Sequence, residues 1–143
     1  MLYPEDKRGL ILHDVLFAPF FAGAAGPGQI WHWDQYVAAN NLWHHFDRFA
    51  QVVEGVDPAA ERFEPSMVQH ERLRIYRLKG RRTTMLWLRD SRAGGVVEGV
   101  TVKAEGKRAR VFDPWENRWT EVKARGGRLA VPAFTTSVAI VMK

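Results

Sequence analysis

The chain has 143 residues, 46% of them hydrophobic and 26% charged, a composition typical of a folded globular protein and unlike that of a disordered one. It contains no cysteine, which excludes a disulfide framework and a thiolate metal site. The formal net charge of +5 is uneven, since residues 1–60 carry three Lys/Arg against seven Asp/Glu and residues 61–143 carry eighteen against nine. This change of sign suggests two separately built units, the second with an arginine-rich surface that either stays solvated or attracts acidic partners.

The N-terminal part of the chain predicts a buried helix and no targeting or membrane segment. Residues 1–9 are charged and carry no apolar stretch, so we expect no signal peptide in this chain. Residues 10–25 are apolar, but they include His13 and Pro19 and are too few to span a bilayer. The helix predicted over residues 9–22 has apolar residues on all its sides, so it should pack against more than one neighbour.

A strand and a second helix are predicted next. The aromatic run over residues 29–34 (QIWHWD) follows a glycine-rich turn and predicts a short buried strand. Asn40 predicts the N-cap of a helix over residues 41–55. The buried face of that helix is expected to comprise the apolar side chains that recur at helical spacing, namely Leu42, Phe46, Phe49, Val52 and Val53.

Beyond Pro58 the hydrophobic period changes from that of a helix to that of a strand. Residues 56–60 are expected to form a linker, since the residue before a proline is disfavoured in a helix. Turn signals such as Gly94-Gly95 and Gly126-Gly127 separate the apolar runs that follow. These runs predict strands over residues 72–76, 83–88, 100–104, 108–112, 119–123, 128–131 and 137–141. Short strands at regular spacing, with no helix between them, predict an antiparallel sandwich.

The predicted helix, strand and helix of the first 57 residues lack a partner. One strand between two helices cannot make a stable sheet by itself. We therefore expect this chain to be a fragment whose partner strands lie upstream.

Four short motifs in this part of the chain resemble those of a known family. They are Leu12-His13-Asp14, Gly23-Ala24-Ala25-Gly26, Trp31-His32-Trp33-Asp34 with Tyr36, and Asn41-Leu42-Trp43-His44. The segment from His13 to Asp57 resembles the final repeat of TIM-barrel glycoside hydrolases of the cellulase and β-mannanase clan. His32 is a departure, because relatives usually carry three successive tryptophans on this strand. The C-terminal region is similar to the small β-domain with which many such hydrolases end.

The resemblance implies an α+β fold. A truncated (β/α) barrel end of helix, strand and helix would occupy residues 1–57, and a small antiparallel β-sandwich accessory domain would occupy residues 62–143. The missing upstream barrel repeats would be the partner of the first part. The full-length protein would hydrolyse a β-linked polysaccharide or oligosaccharide and would be secreted or exposed at the cell surface.

The resemblance also implies which residues face the substrate. The active site of a TIM barrel lies at the C-terminal ends of its strands, so Trp31, Trp33, Asp34 and Tyr36 would stand at that rim as substrate-binding residues. Indole rings stack on the C–H faces of sugars, and a polar neighbour such as Asp34 binds hydroxyl groups. The alternative is that both tryptophans belong to the core.

No catalytic residue is expected within this chain. Retaining glycosidases need two carboxylates ~5–5.5 Å apart. In the resembled clan these lie on the fourth and seventh strands, which would precede residue 1, so the chain alone is expected to be inactive. No cofactor is expected, and no metal, because the histidines lack the spacing of a metal site.

Two other functions stay open. A non-catalytic carbohydrate-binding or structural β-sandwich module would use Trp115 and Trp119 for stacking, although tryptophans packed against their neighbours are the simpler interpretation. Residues 72–82 combine cations with an aromatic ring, as strands that bind nucleic acid do. However, Leu73 and Ile75 alternate with the arginines as in an ordinary half-exposed strand, so no nucleic-acid partner is expected.

Overall fold

The computed structural model describes residues 3–92 and 94–143. Its helices are α1 (Leu10–Phe21), a π-helix (Trp33–Ala38), α2 (His44–Val53) and the short α3 (Pro58–Glu61). The strands are β1 (Glu64–Val68), β2 (Leu73–Lys79), β3 (Thr84–Asp90), β4 (Val96–Val97), β5 (Thr101–Lys103), β6 (Ala109–Asp113), β7 (Arg118–Val122), β8 (Arg128–Ala130), β9 (Phe134–Thr135) and β10 (Ser137–Met142). The helices therefore all precede the strands. No helix in the described ranges is long and apolar enough to cross a membrane.

Six strands form one antiparallel sheet in the order β1-β2-β3-β10-β6-β7. The remaining strands form two short ladders, β4 with β9 and β5 with β8. The last strand, β10, pairs in the middle of the sheet, with Ile140 opposite Leu86 on one side and Val111 on the other. This topology confirms the antiparallel β-region predicted from the period of two.

Both faces of the sheet are covered, and β3 shows how its sequence permits this. Met85 and Trp87 join the core that α1 and α2 form on one face. Leu86 and Leu88 join the core on the other face, to which the two ladders contribute. Successive side chains of a strand alternate between its faces, so a central strand with two covered faces is apolar throughout.

The edge strand β1 was not predicted from the sequence. All five of its residues are exposed, so it has no buried face to produce an alternating pattern. It pairs with β2 alone, through contacts such as Met67 opposite Tyr76. Pro65 lies within it, which an edge strand tolerates because one side of its backbone needs no hydrogen-bond partner.

The first helix accommodates its internal proline through a distant glycine. Pro19 has no backbone N–H, so the carbonyl oxygen of Val15 loses its helical partner. The N–H of Gly28 donates to that oxygen at 3.1 Å. A Cβ atom at residue 28 would lie 2.5 Å from the same oxygen, so the approach requires glycine. The glycine-rich turn after α1 thereby completes the helix.

The helices pack directly on the sheet. Leu12, Leu16 and Phe17 of α1 share one hydrophobic core with Trp87 of β3 and Phe112 of β6. The buried face of α1 therefore has a partner within the chain. The expectation that this chain is a fragment rested on the argument that residues 1–57 lack a packing partner within it. The structure contradicts that argument. The upstream barrel repeats stay a prediction that rests on the family resemblance alone.

The strand predicted over residues 29–34 is absent from the structure of that segment. Residues 29–32 are irregular, and a π-helix begins at Trp33. Its backbone groups are satisfied locally, since the N–H of Tyr36 donates to His32 and the N–H of Leu42 donates to Val37. The alternating aromatic residues are typical of a buried strand, but residues 29–34 pair with no strand of the sheet. A (β/α) barrel end is therefore not confirmed.

The second helix begins later than predicted. It starts at His44, and Asn40 does not cap it, because the Asn40 side chain donates to the carbonyl oxygen of Tyr36 at 2.8 Å. The left-handed backbone of Asn41, with φ of 52°, breaks the chain between the π-helix and α2. Phe49 and Val52 are buried as predicted.

Candidate functional site

The structure separates the four predicted substrate-binding residues into two groups. Trp31 and Trp33 are 88% and 60% exposed, and Asp34 is exposed beside them in the chain. Tyr36 is fully buried. Three of the predicted residues therefore lie on an accessible surface, and the fourth lies beneath it.

Tyr36 anchors the segment through its hydroxyl group. The hydroxyl donates to a carboxylate oxygen of Asp6 at 2.5 Å and accepts from the backbone N–H of Leu12 at 3.2 Å. The same carboxylate accepts from the N–H groups of Leu10 and Ile11, at 2.9 and 2.7 Å, and so caps the start of α1. Tyr36 thus holds the π-helix against the first turn of α1.

The charges at this anchor are fixed by their hydrogen bonds. Burial opposes ionisation of Asp6, but the hydrogen bonds from Tyr36, Ile11 and Leu10 outweigh it and lower the pKa of the carboxyl group. Burial and the bond to Asp6 raise the pKa of the Tyr36 hydroxyl group. The pair is therefore a carboxylate and a neutral phenol, which is a structural arrangement rather than a reactive one.

Two further aromatic side chains are exposed nearby in the chain. Trp43 is 50% exposed and Phe46 is 41% exposed, and their rings stack with centroids 6.1 Å apart. The prediction that Phe46 lies on the buried face of the helix is wrong, since the buried face of α2 consists of His45, Phe49 and Val52. All the exposed large aromatic side chains in the described chain lie between residues 31 and 46, here called the exposed aromatic segment.

The exposed aromatic segment offers apolar ring faces and a single carboxylate. Its rings offer flat apolar faces, and Asp34 offers a hydrogen-bond acceptor. Hydrolysis of a glycosidic bond needs a second carboxyl group opposite the first. Asp34 is the one acidic residue of the segment, and the next acidic residue in the chain, Asp47, is paired with Arg48 at 2.7 Å.

The tryptophans of the sheet have partners of their own. Trp115 donates its indole N–H to the hydroxyl group of Ser137 at 3.0 Å. Trp119 donates to the side-chain oxygen of Gln51 at 3.3 Å and stacks on Phe112 with ring centroids 4.7 Å apart. Both rings are half-buried. They pack against their neighbours, which was the simpler interpretation of their positions.

A buried histidine pair lies where α1, α2 and the sheet meet. Nε2 of His13 lies 2.8 Å from the hydroxyl oxygen of Ser137, and Nε2 of His45 lies 2.8 Å from the carbonyl oxygen of Arg8. The two rings are 6.0 Å apart. Burial lowers the pKa of both imidazoles, and the neighbouring charges of His45 and Arg89 add to the effect at His13. The described residues contain no group of three potential metal ligands.

Comparison with known proteins identifies a similar fold but no family by sequence. The sequence matches no protein-family model and no curated protein. In each of two similar solved structures, this chain corresponds to only a minor part of the solved chain.

Both structures can be named. A structure of AmyP in complex with maltotriose has a TM-score of 0.51 and 12% identity, over 96% of this chain and 35% of AmyP. An α-amylase from Anoxybacillus, described as belonging to a new glycosyl hydrolase subclass, has a TM-score of 0.46 and 8% identity, over 71% of this chain and 22% of the amylase. At such identities, the similarity to AmyP shows the fold alone.

Proposed function

We propose that this chain is the C-terminal part of a glycoside hydrolase and that Trp31, Trp33 and Asp34 of its exposed aromatic segment bind the carbohydrate substrate. The observation that carries the proposal is the 88% exposure of Trp31 and the 60% exposure of Trp33 on a segment that Tyr36 anchors. The fold shared with AmyP, which was solved with maltotriose, supports the class of protein. The motifs around these tryptophans support the same class.

The exposure of the two tryptophan rings has a cost in folding free energy. Leaving a large apolar side chain in water forgoes about 1.5–3 kcal/mol that burial would provide. Exposed apolar surface of this kind commonly marks a binding site. The axial C–H groups of a pyranose ring cover an indole face, and a carboxylate such as Asp34 accepts hydrogen bonds from the remaining hydroxyl groups.

The substrate we propose is a β-linked oligosaccharide or polysaccharide. The resemblance to the cellulase and β-mannanase clan favours β-linked sugars, whereas AmyP was solved with the α-linked sugar maltotriose. The choice of a β-linked substrate therefore rests on the family resemblance. Maltotriose is therefore the comparison ligand in the test below.

The catalytic carboxylates belong, in this proposal, to the part of the protein that precedes residue 1. This chain would supply binding residues to that site and would be inactive alone. The full-length enzyme would act outside the cell or at its surface, where polysaccharides occur. A non-catalytic binding module remains the alternative. Its stacking rings are already partly covered, since Trp119 stacks on Phe112 and Arg8 lies over Trp115.

Calorimetric titration of the chain with cellohexaose, mannohexaose and maltotriose tests the proposal. We expect a β-linked hexasaccharide to bind and the combined Trp31→Ala and Trp33→Ala changes to weaken binding by about tenfold or more, since each ring contributes on the order of 1 kcal/mol. Trp43→Ala is the matched control, because it removes an equally large exposed ring that stacks on Phe46.

Three results would contradict parts of this proposal. Binding that survives the loss of Trp31 and Trp33 removes these rings from the site. A preference for maltotriose replaces the β-linked substrate with an α-linked one. An absence of binding to all three sugars indicates that the exposed aromatic segment is a packing surface for another part of the protein, which is the structural alternative.

A further inference from the structure

A cationic groove lies beside the end of α2, at the β6–β7 edge of the sheet. Its volume is about 650 Å³, and it is formed by the end of α2 together with β6, β7 and β10. Two acidic side chains line it, against five cationic ones: Lys107, Arg108, Arg110, Lys123 and Lys143. A concave surface lined by one sign of charge focuses its electric field and concentrates ions of opposite charge.

Backbone hydrogen bonds hold three of these cations together. The N–H groups of Lys107 and Arg108 both donate to the carbonyl oxygen of Lys143 at 2.9 Å. Gly106 makes this contact possible, since a Cβ atom there would lie 2.8 Å from the carbonyl carbon of Lys143. The backbones of these three cationic residues are therefore held next to one another.

The cations of the groove carry no ion pair among the described residues, in contrast to arginines elsewhere. Arg72, Arg77 and Arg89 are each paired with a carboxylate at 2.5–2.8 Å. Arg110 lies opposite Glu121 in the β6–β7 register but pairs instead with the ring of Trp119, with its guanidinium carbon 4.0 Å from the ring centroid. The positive charge of the groove is therefore available to a ligand.

Trp119 provides a rigid wall beside these charges. Its ring stacks on Phe112, its indole N–H donates to Gln51, and Gln51 is itself held by hydrogen bonds to Asp47 and Asn117 at 2.9 Å each. A wall that is already ordered loses little conformational entropy when a ligand binds. The groove thus combines an apolar edge with cations at fixed backbone positions.

We propose that the cationic groove binds an acidic oligosaccharide, a chain of pyranose rings that carry carboxylate groups. The carboxylates would pair with Arg108 and Lys123, and the sugar C–H groups would contact the edge of Trp119. Single-stranded nucleic acid fits less well, because successive bases need several free aromatic faces and the groove has one ring, already engaged by Arg110. The inference depends on the proposed function only in taking the ligand to be a carbohydrate.

Calorimetric titration of the chain with trigalacturonate at low ionic strength tests the groove. We expect binding that weakens as sodium chloride is added, because the interacting charges are exposed. The combined Arg108→Gln and Lys123→Gln changes should weaken it by about tenfold, as expected for the loss of two exposed charge contacts. The charge-matched control combines Arg81→Gln and Lys103→Gln, which are exposed cations outside the groove lining, and should leave binding unchanged.

Other outcomes overturn the proposal in distinguishable ways. An absence of binding, or equal weakening by the control pair, removes the groove as a specific site. Equally tight binding of maltotriose shows that charge is not recognised. Tighter binding of a single-stranded oligonucleotide, lost in the same groove variant, assigns the groove to nucleic acid. Loss of trigalacturonate binding on Trp31→Ala moves the ligand to the exposed aromatic segment and leaves the proposed function standing.

Discussion

The tryptophans of the helical region and of the β-region have opposite surroundings. Trp31 and Trp33 are largely exposed, whereas Trp87 is 2% exposed. Trp115 and Trp119 are half-buried and each donates its indole N–H to a neighbouring side chain. In the β-region, tryptophan therefore fills the core and packs between the sheet and the helices. In the helical region it faces solvent. The difference indicates which rings are free to bind a ligand.

The largest expected effect comes from replacing a core tryptophan and comparing it with an exposed one. Trp87 contacts Phe17 and Tyr76, with ring centroids 5.8 and 5.2 Å away, so Trp87→Ala leaves a cavity and should cost about 3–5 kcal/mol of unfolding free energy. Trp31→Ala should change it by less than about 0.5 kcal/mol. Urea denaturation measures both. Similar losses in the two variants would mean that Trp31 is packed in solution.

The second test concerns acid and the buried histidine pair. Because folding lowers the pKa of His13 and His45 below the ordinary value of 6.5, the unfolded chain binds more protons, and stability falls as pH drops below about 6.5. Between about pH 6.5 and pH 5 we expect a loss on the order of 2 kcal/mol. The carboxyl groups with lowered pKa values, such as that of Asp90, lose their contribution only at lower pH.

Urea denaturation across this pH range measures the effect. His13→Gln should flatten the dependence, although the variant itself will be less stable because His13 is buried against Ser137. His32→Gln is the control, since His32 is half-exposed and packs against Tyr3 instead of the buried pair. A dependence that persists unchanged without His13 would assign the acid sensitivity to other groups.

The smallest expected effect tests the anchor beneath the exposed aromatic segment. Tyr36→Phe keeps the buried ring but removes the hydroxyl group that joins Asp6 to the N–H of Leu12. We expect a loss of about 1–2 kcal/mol of unfolding free energy. The pKa of Asp6 should rise towards its ordinary value, because one of its donors is gone, and NMR titration of the carboxyl group measures this. An unchanged pKa of Asp6 would show that the bond does not form in solution.

Much of the β-region was predictable because its residues alternate. In β2, Leu73 and Ile75 face one core while the intervening arginine is exposed, and the period of two records that arrangement directly. The edge strand β1 lacks a buried face, so its sequence does not alternate between apolar and polar residues. The exposure of Trp31 and Trp33 was not predictable from alternation, because an aromatic pair at alternate positions occurs both in buried strands and in exposed segments.

The amino-acid sequence by itself determined the local preferences of this protein: the apolar surface of α1, the alternating strands and the turns between them. The tertiary structure alone decided how the aromatic run is used. Asp6 and Tyr36 are thirty residues apart, and their hydrogen bond holds the π-helix against α1 while Trp31 and Trp33 stay exposed. Such a contact has no local pattern, because it forms only when α1 has folded and presents its first N–H groups to the same carboxylate.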